Sequence, residues 1–347
     1  MKKVLLTLTA AILVTISSKA QDSTSTPLQI SGSVDTYWKY DFAKTANIGT
    51  SFASDQNSLS LGMIDVALKK STGKASFVGE VSFGPRGQSQ SIPNSGDGNS
   101  FHIQNLYATY AFSDKFSMTA GYMGTFVGYE VISPVGNYNY STSYLFTNGP
   151  FQNAGVKASY AFSSKASLMV GLFNGWNAYT ATKGVSNFGA QLMLAPVEGW
   201  SAYINLLTGE DAYGGYGTVL DLTTGYQITE KFKLGLNLAD FSKSEDADGG
   251  YSGGAIYLQN SITSGFGLGL RGEYFKSKSG ANGLTLSGVA PDESVTSFTL
   301  SANLKAGGLT FIPELRLDNG SATQFLKDNG SATKSASQFS LAAVYAF

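Results

Sequence analysis

The side chains best placed to do chemistry in this chain are charges spaced two apart, not nucleophiles or metal ligands. Asp35, Lys39 and Asp41 share one face of an early alternating run, Arg271 with Glu273 one face of a later run, and Glu314 with Arg316 one face of another. Glu80, Lys157 and Asp221 take equivalent positions elsewhere. Period-two spacing puts each on the polar side of an extended segment, opposite apolar neighbours. On the inner wall of a tube, such charges of mixed sign would set up a transverse field that passes polar solutes, and rings of charge set ionic preference. On a lipid-facing wall each basic group would cost up to ~2–4 kcal/mol at the midplane, so parity assigns them to a lumen. The competing expectation is structural: Glu314 with Arg316, and Arg271 with Glu273, would pair across neighbouring strands and merely fill the space.

Other chemistries are incomplete. The chain has no Cys, which removes disulfides and thiolate chemistry, and a single histidine, His102, which leaves no His pair for a metal. Gly267-Leu268-Gly269-Leu270-Arg271-Gly272 spells a dinucleotide fingerprint. That motif needs a helix opening at the loop, whereas here it lies inside a strand pattern, where glycine marks a bend. Glu245, Asp246 and Asp248 make an acidic loop without calcium-loop spacing, suited at most to weak cation or lipopolysaccharide contact. A barrel phospholipase needs a Ser–His pair with an orienting group, and no serine near His102 and Asn105 is singled out. Neither enzyme activity nor a cofactor is expected.

The elements that must hold these charges are strands. Phe298, Leu300, Ala302 and Leu304 alternate with Ser297, Thr299, Ser301 and Asn303, and Phe339, Leu341, Ala343, Tyr345 and Phe347 alternate with Gln338, Ser340, Ala342, Val344 and Ala346. About sixteen such runs of roughly 9–14 residues occur, close to the ~9–11 needed to cross a bilayer at a tilt. They span about 28–41, 58–70, 75–85, 101–112, 116–127, 152–162, 166–176, 185–195, 199–209, 217–228, 231–242, 251–263, 265–278, 294–307, 309–319 and 336–347. In 58–70, Met63, Asp65 and Ala67 break the alternation, as a β-bulge would. Short links near 71–74, 113–115, 163–165, 196–198, 229–230, 264 and 308 alternate with long polar links, the sidedness of a bacterial outer-membrane barrel. The long link 320–335 carries a tandem repeat, Asp318 to Thr323 and Asp328 to Thr333, which reads as a tolerant surface loop.

Aromatics mark the strand ends. Tyr-Ala-Phe occurs at 110–112, 160–162 and 345–347, the first two copies beside tight polar turns, as in an interfacial girdle. Tyr345 and Phe347 in the last run resemble the signal by which the barrel-assembly machinery recognises outer-membrane barrels. Residues 1–20 read as a secretory signal peptide: Lys2 and Lys3, an apolar run to Ile16, and Ser18-Lys19-Ala20. Residues 21–27 form a polar leader and 28–347 the barrel. Removing the signal's three lysines from 23 basic residues leaves 20 against 24 acidic, a mild acidity that argues against a nucleic-acid partner.

The longest link, 128–151, differs in kind. It contains Tyr129, Asn137, Tyr138, Asn139 and Tyr140, and its only charge is Glu130. It follows the fifth run, the position from which classical porins fold a constriction loop into the lumen. Thr125 to Ile132 and Asn139-Tyr140-Ser141, with Val34 to Tyr40 and Phe83-Gly84-Pro85-Arg86-Gly87, resemble the OmpL-like putative beta-barrel porin family. The resemblance extends over most of the mature chain and is strongest through about residue 176. It implies an outer-membrane, porin-like barrel and no particular solute.

These readings converge on an all-β protein, a transmembrane antiparallel up-and-down barrel of about sixteen strands in a Gram-negative outer membrane. The expected function is passive diffusion of small hydrophilic solutes, with Tyr129, Glu130 and Asn137 to Tyr140 as the constriction. The rival is a non-conducting barrel whose outer loops bind a surface partner. Lipid and lipopolysaccharide are the expected surroundings. Porins of this size are often homotrimers, though no interface patch is readable in the strands.

Overall fold

A strand with one apolar and one polar face is stable in lipid only when every backbone N–H and C=O finds a partner, which a sheet achieves by closing on itself. The computed structural model does this, and it describes residues 25–87, 101–181, 184–212, 214–244, 249–280 and 286–347. The wall begins with β1 (Gln29–Asp41), β2 (Leu59–Thr72), β3 (Ala75–Phe83), β4 (Phe101–Ala111) and β5 (Phe116–Gly124). It continues through β6 (Gln152–Ser163), β7 (Ala166–Phe173), β8 (Asn187–Leu194), β9 (Trp200–Glu210) and β10 (Tyr216–Gln227). Then come β11 (Phe232–Lys243), β12 (Gly250–Thr263), β13 (Phe266–Ser277), β14 (Ser294–Ala306) and β15 (Leu309–Gly320). A two-residue hairpin, β16 (Phe325–Leu326) with β17 (Ala332–Thr333), precedes the closing strand β18 (Ser335–Ala346). Sixteen antiparallel strands form one closed barrel, each paired with its neighbour in sequence, and β1 pairs with β18.

Parity sets the two faces. In β14, Phe298 and Leu300 are 55% and 49% exposed whereas Ser297 and Thr299 are 1% and 0% exposed, so the apolar face looks outward. A soluble sandwich would reverse this. The suspected irregularity in β2 is real: Val34 pairs with Ile64 but Thr36 pairs with Leu61, so one extra residue of β2 sits opposite Asp35. The Asp35 carboxylate takes the displaced Met63 N–H at 2.8 Å, which keeps the bulge satisfied inside the wall.

Tyr345 and Phe347 face outward, 48% and 55% exposed. Phe347 exchanges backbone hydrogen bonds with Gly32 (3.0 and 3.1 Å), and its ring covers the space a Cβ at Gly32 would need. The pairs Tyr110–Phe112 and Tyr160–Phe162, with ring centroids 4.9 and 5.3 Å apart, repeat this edge at other strand ends. The expected signal segment 1–20, most of the polar leader and the acidic residues Glu245, Asp246 and Asp248 lie outside the described residues.

Candidate functional site

A backbone that crosses a lumen must find hydrogen-bond partners for its own amides and carbonyls. The segment after β5 finds them on the charged wall. The Glu314 carboxylate accepts from the Tyr140 and Ser141 amides at 2.7 and 3.1 Å. Glu273 accepts from the Tyr144 and Leu145 amides, both at 2.9 Å, at the start of a one-turn helix, Tyr144–Asn148. Those are the orphan donors of a helix N-terminus, where a carboxylate is favoured. Ser143 caps the same turn by accepting from Phe146 N at 3.0 Å. Asp221 takes the Gly128 amide at 3.0 Å and is held by Asn205 and Asn237.

The arginines serve the carbonyls. Arg271 donates to Ser141 O at 2.6 Å and pairs with Glu130 at 2.6 Å. Glu130 in turn accepts the Ser143 amide at 2.7 Å. Arg316 donates to Thr142 O at 2.8 Å and makes a bidentate pair with Asp318 at 2.9 and 3.0 Å. Arg86, from the link after β3, donates to Ile132 O at 3.0 Å and Tyr140 O at 3.1 Å. Its guanidinium lies between the rings of Phe52 and Tyr140, 4.2 and 4.6 Å from their centroids, and 3.5 Å from Asp35. Planar stacking combined with donation suits arginine and not lysine.

The tyrosines complete the clamp. Tyr140 donates to Asp35 at 2.6 Å and Tyr144 to Asp318 at 2.7 Å. Burial holds both phenols well above their usual range, so each remains a donor. Asn139 donates to Ser301 at 2.7 Å, and Asn137 clamps Val131 N and O at 3.0 and 2.6 Å, fixing a turn within the segment. Tyr138 lies on Gly267 and Gly269, and Tyr129 on Gly235, where any Cβ would collide with the ring. Two of the three glycines that spell a nucleotide fingerprint, Gly267 and Gly269, are thus seats for an inserted aromatic ring, while Gly272 lies beside Ile256 and Phe298.

The segment therefore lies inside the barrel, and space remains on either side of it. One cavity of about 480 Å³ is lined by residues of the short-turn half, including Tyr203, Lys233 and Gln259. A second, of about 250 Å³, lies against Glu80, Gln104 and Gln152. At the long-link end an apolar cluster occupies the lumen. Ile48, Leu145, Trp176, Val289 and Phe325, from five different links, pack with Leu207, Val219, Phe241, Phe275 and Val295 of the wall in one buried cluster.

The family described as putative beta-barrel porin-2, OmpL-like, matches residues 27–347. The chain belongs to this porin family. Solved barrels share the fold: an anion-selective porin from Comamonas acidovorans has a TM-score of 0.61 at 12% identity, over 94% of this chain and 100% of that one. Salmonella typhi OmpF, in complex with daunomycin, has 0.60 at 13% identity, over 92% and 97%. Vibrio cholerae OmpT, in a trimer form, has 0.58 at 14%, over 93% and 99%. No curated protein matches the sequence. The protein is an outer-membrane porin.

Within this porin the charges named from sequence divide into three groups. Asp35, Asp221, Arg271, Glu273, Glu314 and Arg316 all bind the inserted segment. Lys39 donates to Ser54 O at 2.9 Å and Asp41 accepts from Ala43 N at 2.9 Å, both holding the link after β1. Glu80, bonded to Asn105 at 2.6 Å, and half-buried Lys157 do neither. The expected pairings of Arg271 with Glu273 and Glu314 with Arg316 do not form: Arg271 pairs with Glu130 and Arg316 with Asp318. Glu273 and Glu314 are instead taken up by segment amides, which leaves Arg271 to Glu130 of the segment and Arg316 to Asp318, two residues along its own strand. Two further charges hold the segment or its partners. Asp318 shares the parity of Glu314 and Arg316 but was absorbed into the tandem repeat, and Arg86 sat unremarked in Phe83 to Gly87.

Proposed function

We propose that this porin passes small hydrophilic solutes by passive diffusion through the polar space beside 128–151, and that this segment sets the size limit. The observation that carries the reading is the hydrogen-bonded span of Glu130, Tyr140 and Ser141 across the lumen to Arg271 and Glu314, with a polar cavity beside Tyr203 and Gln259 and a second, more apolar one beside Glu80. Family membership supports solute passage without a catalytic step. The form in which Vibrio cholerae OmpT was solved supports a homotrimer, and lipid, lipopolysaccharide and the assembly machinery complete the expected surroundings.

A second reading has its own support. The apolar cluster at the long-link end favours a barrel whose lumen is closed there and whose outer links bind a surface partner. Planar-bilayer recording separates the two. The first reading expects discrete conductance steps from the intact protein, larger steps and a relaxed sugar-size limit once most of 128–151 is deleted. Folded protein with no steps and no liposome swelling supports the second.

A further inference from the structure

We infer that the cavity on the short-turn side of the inserted segment is a saccharide site, taking one or two hydroxylated rings on their way through the lumen. The inference rests on the porin reading for its route but on the cavity alone for its ligand. At about 480 Å³ the space falls within the ~300–1,000 Å³ typical of small-molecule sites.

Its lining has an unusual balance. Tyr129 stacks on Tyr257 with ring centroids 4.2 Å apart and sets its hydroxyl end against Gly235, and Tyr138 runs along the wall from Gly269 to Gly267. Both loop tyrosines are half-buried, so part of each ring is left to the cavity. Wall glycines make room for these rings, and an aromatic face suits the C–H face of a pyranose. Around them stand Tyr203, Thr223, Lys233 and Gln259, an array of hydroxyl, amide and ammonium groups that matches a hydroxyl rim.

Charge narrows the class. Glu130 is the one carboxylate on the lining, and it is neutralised by Arg271 at 2.6 Å, so nothing there holds a cation. Lys233 is a single positive group, too little for a multiply charged anion but suited to a ring hydroxyl or one sugar carboxylate. A purely apolar ligand would strip water from the amides and hydroxyls without replacing its hydrogen bonds. The apolar packing at the opposite end makes the short-turn end the accessible side, so added sugar should act more strongly from the periplasmic face.

The test uses intact purified porin with cellobiose, galacturonate, galactose and adenosine as probes. Equilibrium binding in detergent and current blockade in bilayers are measured on the same preparation. Cellobiose should bind saturably and block more strongly from the periplasmic side. Tyr129→Leu and Gln259→Leu should each weaken it at least tenfold, while Leu300→Ile on the lipid face leaves it unchanged. Gln259 belongs to the wall strand β12 and not to the segment, so its variant tests the site even where Tyr129→Leu disturbs the loop. Lys233→Gln should remove a preference for galacturonate over galactose and leave galactose binding intact. Cellobiose binding unaffected by both leucine substitutions, or adenosine competing with equal affinity, overturns the saccharide assignment. Conductance steps without cellobiose binding or blockade would sink this inference and leave the channel reading standing. Binding without steps would do the reverse.

Discussion

At the scale of single residues, the lumen charges act first as hydrogen-bond partners for an inserted backbone. Glu130 and Arg271 are the clearest case, a contact of 2.6 Å with both side chains buried. Removing one member of a buried pair strands the other, at a cost of about 3–5 kcal/mol, whereas replacing both is far milder. Glu130→Gln should therefore loosen the segment, read as proteolysis within 128–151 and a noisier open channel, while Glu130→Gln with Arg271→Met recovers much of the loss. Equal behaviour of single and double variants would contradict the pairing. The Tyr140 and Tyr144 phenols carry the same logic into pH. Their raised values mean their contribution is complete below the ordinary phenol value of about 10 and fades only as pH climbs above it. Conductance noise should stay flat through neutral pH and rise only in strong alkali; an onset near neutrality would rule out these hydroxyls as the clamp.

At the scale of elements, the strands were legible because one face of each meets lipid, and a period of two survives any detail of pairing. The run read as 294–307 is β14 (Ser294–Ala306), and 152–162 is β6 (Gln152–Ser163). What the alternation could not supply was which charge faces which group across the lumen. Arg271 and Glu130 are 141 residues apart and meet only because the segment crosses. The repeated hexapeptide makes the same point. Its first copy ends β15 with Asp318 on Arg316, while its second forms the turn at Gly330 (φ +79°) and strand β17. Identical residues do different work because one copy begins inside the wall. The link between β15 and β18 is accordingly dispensable beside the seam. Phe347→Asp should lower surface levels far more than deletion of 322–333, since it places a charge on the ring position covering Gly32. Equal levels of the two variants in isolated outer membranes would refute this.

At the scale of the whole molecule, two kinds of interior share one tube. The wall's short-turn half is polar and open beside the segment, while links from around the rim pack an apolar cluster against Phe241, Phe275 and Leu207. Truncating a buried Phe or Trp typically costs about 3–5 kcal/mol, but here the loss falls on link packing and not on the closed ladder. Trp176→Ser with Phe325→Ser should raise conductance while leaving heat-modifiable migration nearly unchanged. A collapse of the folded form would show instead that the cluster supports the barrel. The pairing of β1 with β18 has a kinetic consequence of a different sort. Fifteen of the sixteen strand contacts join neighbours along the chain, and one joins its two extremes. Loop-closure entropy grows only as the logarithm of the intervening length, so the equilibrium penalty for that contact is modest, but its arrival must await all the others. Assembly thus runs as a relay of local hairpins ending in one non-local event, and slow steps in membrane insertion should concentrate where Ser33 meets Ala346.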